Sequence, residues 1–332
     1  MKPCNTARCR GKALAARLSL AFVFALGGAA HAQDRWPEKS ITVIVPFAPG
    51  GGTDIIGRLV AGPLAKALGR SVLIENRGGA GGNIGMGMVA RAPADGYTLL
   101  MTSSAYFVNP ALYKSVPYDP ERDFAPISEL AAAPDMFVAH PKANINSIPD
   151  LVAYAKANPG KLNYASAGAG TSPHLMGELL KLREKIGIEH VAYGGAGPAI
   201  TAVLSGQPEI GAFFLPPLQP HVKAGTVRAL AVASSQRWYN MPEVPTMIEL
   251  GYADFISETV ILFAAPVKTP TAIVQRLEQE TLRALQTPEV KQRAEELGYR
   301  ILGRGAAALG ARTTKDVGFY KKLVVDAKIL PQ

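Results

Sequence analysis

The sequence predicts an α/β fold in two domains, and three observations predict it. Strand-like runs alternate with helical ones along most of the chain, the pattern of largely parallel sheets covered by helices. At 332 residues the chain exceeds what one hydrophobic core usually supports. A unit of strand, Gly-rich turn and helix start at residues 46–54 returns at residues 164–174, which gives each half its own copy. Hydrophobic residues make up 48% and charged residues 18%, so a large core is available and the composition is that of a folded chain.

The first 32 residues stand apart from the fold. Lys2, Arg8, Arg10, Lys12 and Arg17 form a basic segment without acids, residues 18–30 are almost wholly apolar, and Ala30-His31-Ala32 is an A-x-A site. These are the three parts of a secretory signal. The apolar run is shorter than the roughly 20 residues that span a bilayer, so cleavage after Ala32 and a periplasmic protein are expected. Cleavage removes Cys4 and Cys9, leaving no disulfide, thiol nucleophile or Cys-ligated metal. It also removes five of the 35 Lys and Arg residues and none of the 26 Asp and Glu, so a net charge of +9 falls to +4, 30 against 26. The remaining charges alternate in sign along helical faces, which argues against a nucleic-acid partner, while a modest positive field favours an anionic solute.

In the first unit, Ile41–Val45 reads as a buried strand. Residues 53–68 read as a helix with Ile55, Ile56, Leu59, Val60 and Leu64 at helical spacing. Strands at 72–74 and 97–101 and a short helix at 83–90 complete a βαβαβ start, and Pro63 predicts a kink or early end of the first helix. From Ser147 the pattern resumes with helices at 147–158, 173–185 and 198–204 and strands at 162–165, 190–192, 210–215 and 229–233. A strand at 260–264 precedes helices at 271–285, 288–297 and 306–325, a tail expected to rejoin the first unit. The domains expected are therefore 33–132 with 257–332, and 133–256.

Two turns carry the chemistry. Phe47, Ala48, Pro49, Gly50, Gly51, Gly52, Thr53 and Asp54 lie between a strand end and a helix start. Glycines let backbone N–H groups approach a ligand and the helix start adds partial positive charge, which suits a carboxylate or phosphate. Open α/β sheets bind ligands at such strand ends. As local structure alone, Thr53 or Asp54 would be the N-cap, but three successive glycines exceed what a turn needs. No Lys-Ser/Thr pair follows, so the turn is not a P-loop. The second turn holds Ser166, Ala167, Gly168, Gly170, Thr171, Ser172, Pro173 and His174, with Ser172 expected as N-cap and Pro173 as the first helical residue.

Ser166 or Ser172 with His174 as base would make a secreted hydrolase. The G-x-S-x-G elbow is missing and no acid is marked as a third member, so the hydroxyls are read as binding groups and no enzymatic activity is expected. Ser103 and Ser104 after the third strand, and Tyr193 in Tyr193-Gly194-Gly195-Ala196-Gly197-Pro198, add hydroxyls and an aromatic wall. The Gly-rich stretch 78–85 fails as a dinucleotide fingerprint because Ile84 holds the third glycine position; it reads as a flexible connection packed close to the sheet. His140, His174, His190 and His221 fall at no ligand spacing, so neither a metal nor a cofactor is expected.

Taken together, the chain resembles the substrate-binding proteins of tripartite tricarboxylate transporters, the Bug or TctC family. The resemblance rests on Trp36-Pro37, Val45-Pro46-Phe47-Ala48-Pro49-Gly50-Gly51 with Asp54, Glu75-Asn76-Arg77-Gly78-Gly79-Ala80-Gly81-Gly82 and Asp95-Gly96-Tyr97-Thr98-Leu99-Leu100. It continues through Asn109-Pro110-Ala111-Leu112-Tyr113, Tyr118-Asp119-Pro120, Asp123-Phe124 and the 164–174 and 193–199 turns. It implies a two-domain periplasmic binding protein of type II, a Venus-flytrap clamshell, with the ligand held mainly by the first-strand turn and the 166–174 loop. It also implies a small carboxylate solute, membrane transporter subunits as partners, and a monomer. A periplasmic sensor would use the same fold. Two positions depart from the family pattern: Phe214 stands where relatives often carry an acidic or small polar residue, and Val260 where a tryptophan is usual. A cleft-facing Phe214 cannot accept a hydrogen bond from an ammonium group, which points to a carboxylate with an apolar body. Because strand residues alternate faces, either Phe213 or Phe214 meets the cleft.

Overall fold

The structure is a computed structural model and describes residues 36–326. The signal segment and the cleavage site after Ala32 lie outside the described residues. From Lys39 onward the chain is one compact unit, built on a single ten-stranded sheet.

In the first lobe β1 (Ile41–Val45) lies between β2 (Val72–Asn76) and β3 (Thr98–Thr102), both parallel to it. Its run Ile-Thr-Val-Ile-Val is nearly all apolar because both faces are covered, and Ile41, Val43, Ile44 and Val45 are buried. Helices α1 (Gly52–Leu68), α2 (Asn83–Ala90) and α3 (Ala105–Leu112) follow the three strands. The 16-residue β4 (Phe124–Ala139) then runs through the molecule.

The second lobe holds α4 (Ile148–Ala157), β5 (Leu162–Ser166), α5 (Ser172–Glu184), β6 (Ile188–Ala192), α6 (Ala196–Leu204), β7 (Ile210–Phe214), α7 (Leu215–Lys223) and β8 (Arg228–Val232). β5 is parallel to β6 and β7. Its core gathers Phe137, Leu151, Tyr164, Leu180, Ile210 and Phe255. The chain returns along β9 (Glu258–Pro266), then α8 (Thr271–Gln286), α9 (Pro288–Glu296), β10 (Arg300–Gly305) and α10 (Ala306–Asp326). α8 packs on α1, and α10 packs on α3 and β4.

β4 joins the lobes. Its residues Phe124 to Pro134 pair antiparallel with β9, and from Asp135 its partner is β7. The return passage is bonded to it: Asp135 N–H donates to Ser257 O at 2.9 Å, and Ser257 N–H to Ala233 O at 2.8 Å. The lobes are thus joined by β4 and by the segment at Ser257, which is bonded to β4 just before it enters β9.

Sequence reasoning missed β4, β10, α3 and α7. β4 contains Pro126 and Pro134, which ordinarily demote a strand. Register shifts near Pro126 and between Glu129 and Ala131 accommodate the first of them. α1 does not end early at Pro63 but runs to Leu68 and closes on left-handed Gly69. Buried Ile56, Val60, Leu64 and Leu68 hold both its halves on the core, which outweighs one lost backbone bond. The N-caps also shift: Gly51, not Thr53 or Asp54, caps α1, and Thr171, not Ser172, caps α5 with Pro173 second in the helix. Among the described residues no helix is long and apolar enough to cross a membrane.

Candidate ligand-binding cleft

Where loops after β1, β3, β5, β6 and β7 meet, they line a narrow, half-open cavity of about 40 Å³, space for a water molecule or a few. Its wall is formed by Phe47, Gly51, Gly52, Thr53, Ser103, Ala167, Thr171, Ser172, Pro173, Ala196, Phe214 and Thr259, none of them charged. Three helices begin in this wall: α1 after Gly51, α5 after Thr171 and α6 after Gly195. None of the three carries a side-chain cap, so their first N–H groups are left for other acceptors. Uncapped helix starts converging on one uncharged cavity favour an anion.

The first loop is pinned from behind by Asp54. Its carboxylate accepts from Gly50 N–H at 3.0 Å, Asn76 Nδ2 at 3.0 Å and Arg58 Nε at 3.0–3.1 Å, and Asn76 Nδ2 also reaches Phe47 O at 3.0 Å. Burial alone would raise the Asp54 pKa, but the bonds from Arg58, Gly50 and Asn76 outweigh it and hold it below the usual value. The stability this contributes is present above the unfolded carboxyl's pKa and is lost as pH falls through the folded one. Asp54 therefore shapes the loop, and its oxygens are spent before they reach the cavity.

The second loop is tied by Ser166, which is fully buried. Its Oγ accepts from Gly168 N–H at 3.2 Å and lies 2.7 Å from His190 Nε2; Thr171 Oγ1 donates to Gly168 O at 2.7 Å. The hydroxyl–imidazole pair of the hydrolase reading is not formed. His174 Nδ1 is occupied by Gly170 N–H at 3.3 Å, and Ser172 Oγ meets Thr259 Oγ1 at 2.7 Å. Burial pushes His174 down to about 4 and His190, with the neighbouring His174 charge, down to about 3, so both are neutral near pH 7. Their rings lie tilted at 34° to one another with centroids 4.2 Å apart.

The two lobes meet over the cavity. Ala48 N–H donates to Gly194 O at 3.3 Å and Tyr113 Oη to Ala169 O at 2.9 Å. The 78–85 stretch, expected to be a flexible connection packed close to the sheet, lies against Pro46 and Phe47 at the end of β1 and also joins this seam. Gly81, at φ +63°, lies so close to Ala169 O that a Cβ there would overlap it, and this approach needs glycine.

Of the residues expected to bind ligand, Phe47, Gly51, Thr53, Ser103, Ala167, Thr171 and Phe214 stand in the wall. Ala48, Pro49, Gly50, Asp54, Ser104, Ser166, Gly168, Gly170, His174 and Tyr193 lie outside it and brace it. Ser104 Oγ, for instance, accepts from Val260 N–H at 2.8 Å and so fixes β9. Phe214 faces the cavity, with its ring edge-on to Tyr299 at a centroid distance of 5.6 Å, while Phe213 is fully buried. Gly52, Ser172, Pro173, Ala196 and Thr259 complete the wall; Ser172 was expected as a binding hydroxyl, and only Thr259 lies outside the segments read as binding. The first four sit in turns that the sequence marks; Thr259 comes from a distant strand with no local signal. Among the described residues no group of three or more His, Cys, Asp or Glu could hold a metal ion.

Two α/β lobes joined by shared strands, with a cleft between strand ends, define a two-domain periplasmic binding protein. Residues 56–304 match the tripartite tricarboxylate transporter family receptor, TctC, and the chain belongs to that family. It is 39% identical over 259 residues to protein BugT of Bordetella pertussis, covering 77% of this chain and 79% of BugT. It is similar to the solved structure of the periplasmic binding protein BugD, with a TM-score of 0.86 and 33% identity over 90% of this chain and 100% of that one. It is equally similar to R. palustris Rpa4515 with adipate, at a TM-score of 0.86 and 31% identity over 90% of this chain and 100% of that one.

Proposed function

We propose that this protein is exported to the periplasm, is cleaved after Ala32, captures a small carboxylate in the cleft and delivers it unchanged to the membrane subunits of a tripartite transporter. The observation that carries the reading is the convergence of three uncapped helix starts on one uncharged cavity. The adipate in Rpa4515 supports a carboxylate as the occupant. Phe47 and Phe214 give the acid's carbon chain an apolar surface, and neither offers the charge-assisted hydrogen bond that a carboxylate would give an ammonium group.

A cavity of about 40 Å³ is too small for a six-carbon acid, so the lobes open to admit one. We place the domains at 33–132 with 257–332 and at 133–256, with the bend where β4 changes partners between Pro134 and Asp135.

Calorimetry and thermal shift with adipate, aliphatic dicarboxylates of graded length and aromatic acids, against aspartate and glutamate, test the ligand class. Acids with an apolar body are expected to stabilise the protein, by about 2.7 kcal/mol at a hundredfold excess over Kd. Stabilisation by the amino acids alone would remove the role given to Phe214, and no response to any acid would remove the carboxylate. N-terminal sequencing of periplasmic material is expected to begin at Gln33; a mature chain that keeps Cys4 would refute the cleavage.

A further inference from the structure

Beneath the cavity a carboxylate is buried against hydroxyl groups. Asp135 is fully buried where the two strand passages between the lobes are bonded together. Its Oδ2 accepts from Ser257 Oγ at 2.6 Å and its Oδ1 from Thr259 Oγ1 at 2.7 Å. Thr259 Oγ1 is in turn 2.7 Å from Ser172 Oγ, and both Thr259 and Ser172 stand in the cavity wall. A chain of two hydroxyls therefore links a buried acid to the site proposed for an anion.

The charged and titratable surroundings are few. β9 brings Glu258 beside Ser257 and Thr259, with Glu258 itself paired to Arg300 at 3.2 Å. α10 brings the phenol of Tyr320, and further along it Asp316 paired to Arg312, which also binds Glu129 on β4 itself. α5 brings Ser172 and, beyond it, a neutral His174; β7 places Phe214 opposite Asp135. Burial raises the Asp135 carboxyl to about 7; Ser257, Thr259 and Ser172 oppose this, and Glu258 adds to it.

Counting hydroxyl hydrogens shows what ionisation does to the wall. When Asp135 is ionised, the Thr259 hydrogen is committed to it, so within the Ser172–Thr259 bond only Ser172 can donate. Ser172 then turns lone pairs toward the cavity, which repel a carboxylate. When Asp135 carries a proton it donates to Thr259, Thr259 donates to Ser172, and the Ser172 hydrogen is released to the cavity. The same proton removes a buried negative charge from beneath the anion.

We propose that Asp135 is a proton site coupled to ligand capture: a carboxylate entering the cleft draws one proton from solvent onto Asp135, and the Thr259–Ser172 pair passes it on as a hydrogen bond to the ligand. This rests on the carboxylate reading above. Affinity is then highest below the carboxyl's own pKa in the free protein and declines as pH rises past it.

Isothermal titration of adipate, or of whichever acid in the panel binds tightest, in buffers of different ionisation enthalpy at pH 8 tests the coupling. The apparent enthalpy is expected to follow the buffer with a slope approaching one proton taken up, and Kd to rise up to about tenfold per pH unit above pH 7. The amide of Asp135→Asn can donate to Thr259 as the protonated acid does. That variant should bind with no proton uptake and a flat pH profile, at least as tightly as the unaltered protein at pH 8. Should the variant fold poorly, carbon-13 NMR of the unaltered protein serves instead, with the Asp135 carboxyl expected to titrate at higher pH once ligand is bound. Ligand binding without proton uptake, or uptake retained in Asp135→Asn, would overturn this proposal and leave the carboxylate reading standing. Failure of every acid to bind would overturn both.

Discussion

Replacing Arg312 with alanine is expected to lower the free energy of unfolding by about 3 kcal/mol, the lower end of what is lost when one partner of a buried pair is removed. Glu129 on β4 is 1% exposed, and its Oε1 accepts from Arg312 Nε at 2.6 Å. Its other oxygen meets Arg304 Nη1 at 3.5 Å, but the Arg304 side chain is 55% exposed and screened by water. Without Arg312 the carboxylate keeps only that weaker partner, and α10 loses a tie to β4. Urea denaturation of the variant measures the loss, and Glu129→Gln in the same background should recover part of it by removing the charge. A cost under about 1 kcal/mol would mean that solvent reaches Glu129 and the pair behaves as a surface one.

Gly52→Val is expected to weaken ligand binding by about ten- to a hundredfold, from an overpacking cost of about 1–3 kcal/mol. Gly52 opens α1 in the cavity wall, and a Cβ there would overlap the Phe214 ring. The ring is backed by Tyr299, whose Oη donates to Gly52 O at 3.1 Å, so it has little room to withdraw. Phe214→Ala added to Gly52→Val should restore much of the affinity, as calorimetry on the single and double variants would show. A double variant no better than Gly52→Val would place the harm in the helix start rather than in the clash.

Glycine and proline made much of the cleft legible. The Gly50 to Gly52 and Gly168 to Pro173 stretches announce strand ends and helix starts by local chemistry alone, and they supply the helix N-termini that meet in the cavity. Side-chain roles within them were less legible. Asp54 and Ser166 read as contacts because their type suits binding, yet their atoms are consumed by Arg58, Asn76, Gly50 and His190. Nothing local pairs Ser166 with His190, since that contact depends on β5 lying beside β6. The choice between Phe213 and Phe214 likewise needed the register of β7 on β4, which sets Phe214 opposite Asp135. Asp135 itself went unread, being one acid inside a strand whose prolines hide it.

The shared sheet between the lobes also sets how the molecule moves. A free linker would let two halves swing independently, with many arrangements of similar energy. Here one passage is hydrogen-bonded to the other, at Asp135 with Ser257, and Ser257 is tied on to Ala233, so a change of angle between the lobes would bend these segments without parting them. A joint of this kind, unlike a free linker, would act as a leaf spring and favour one rest angle between the halves over a range of them.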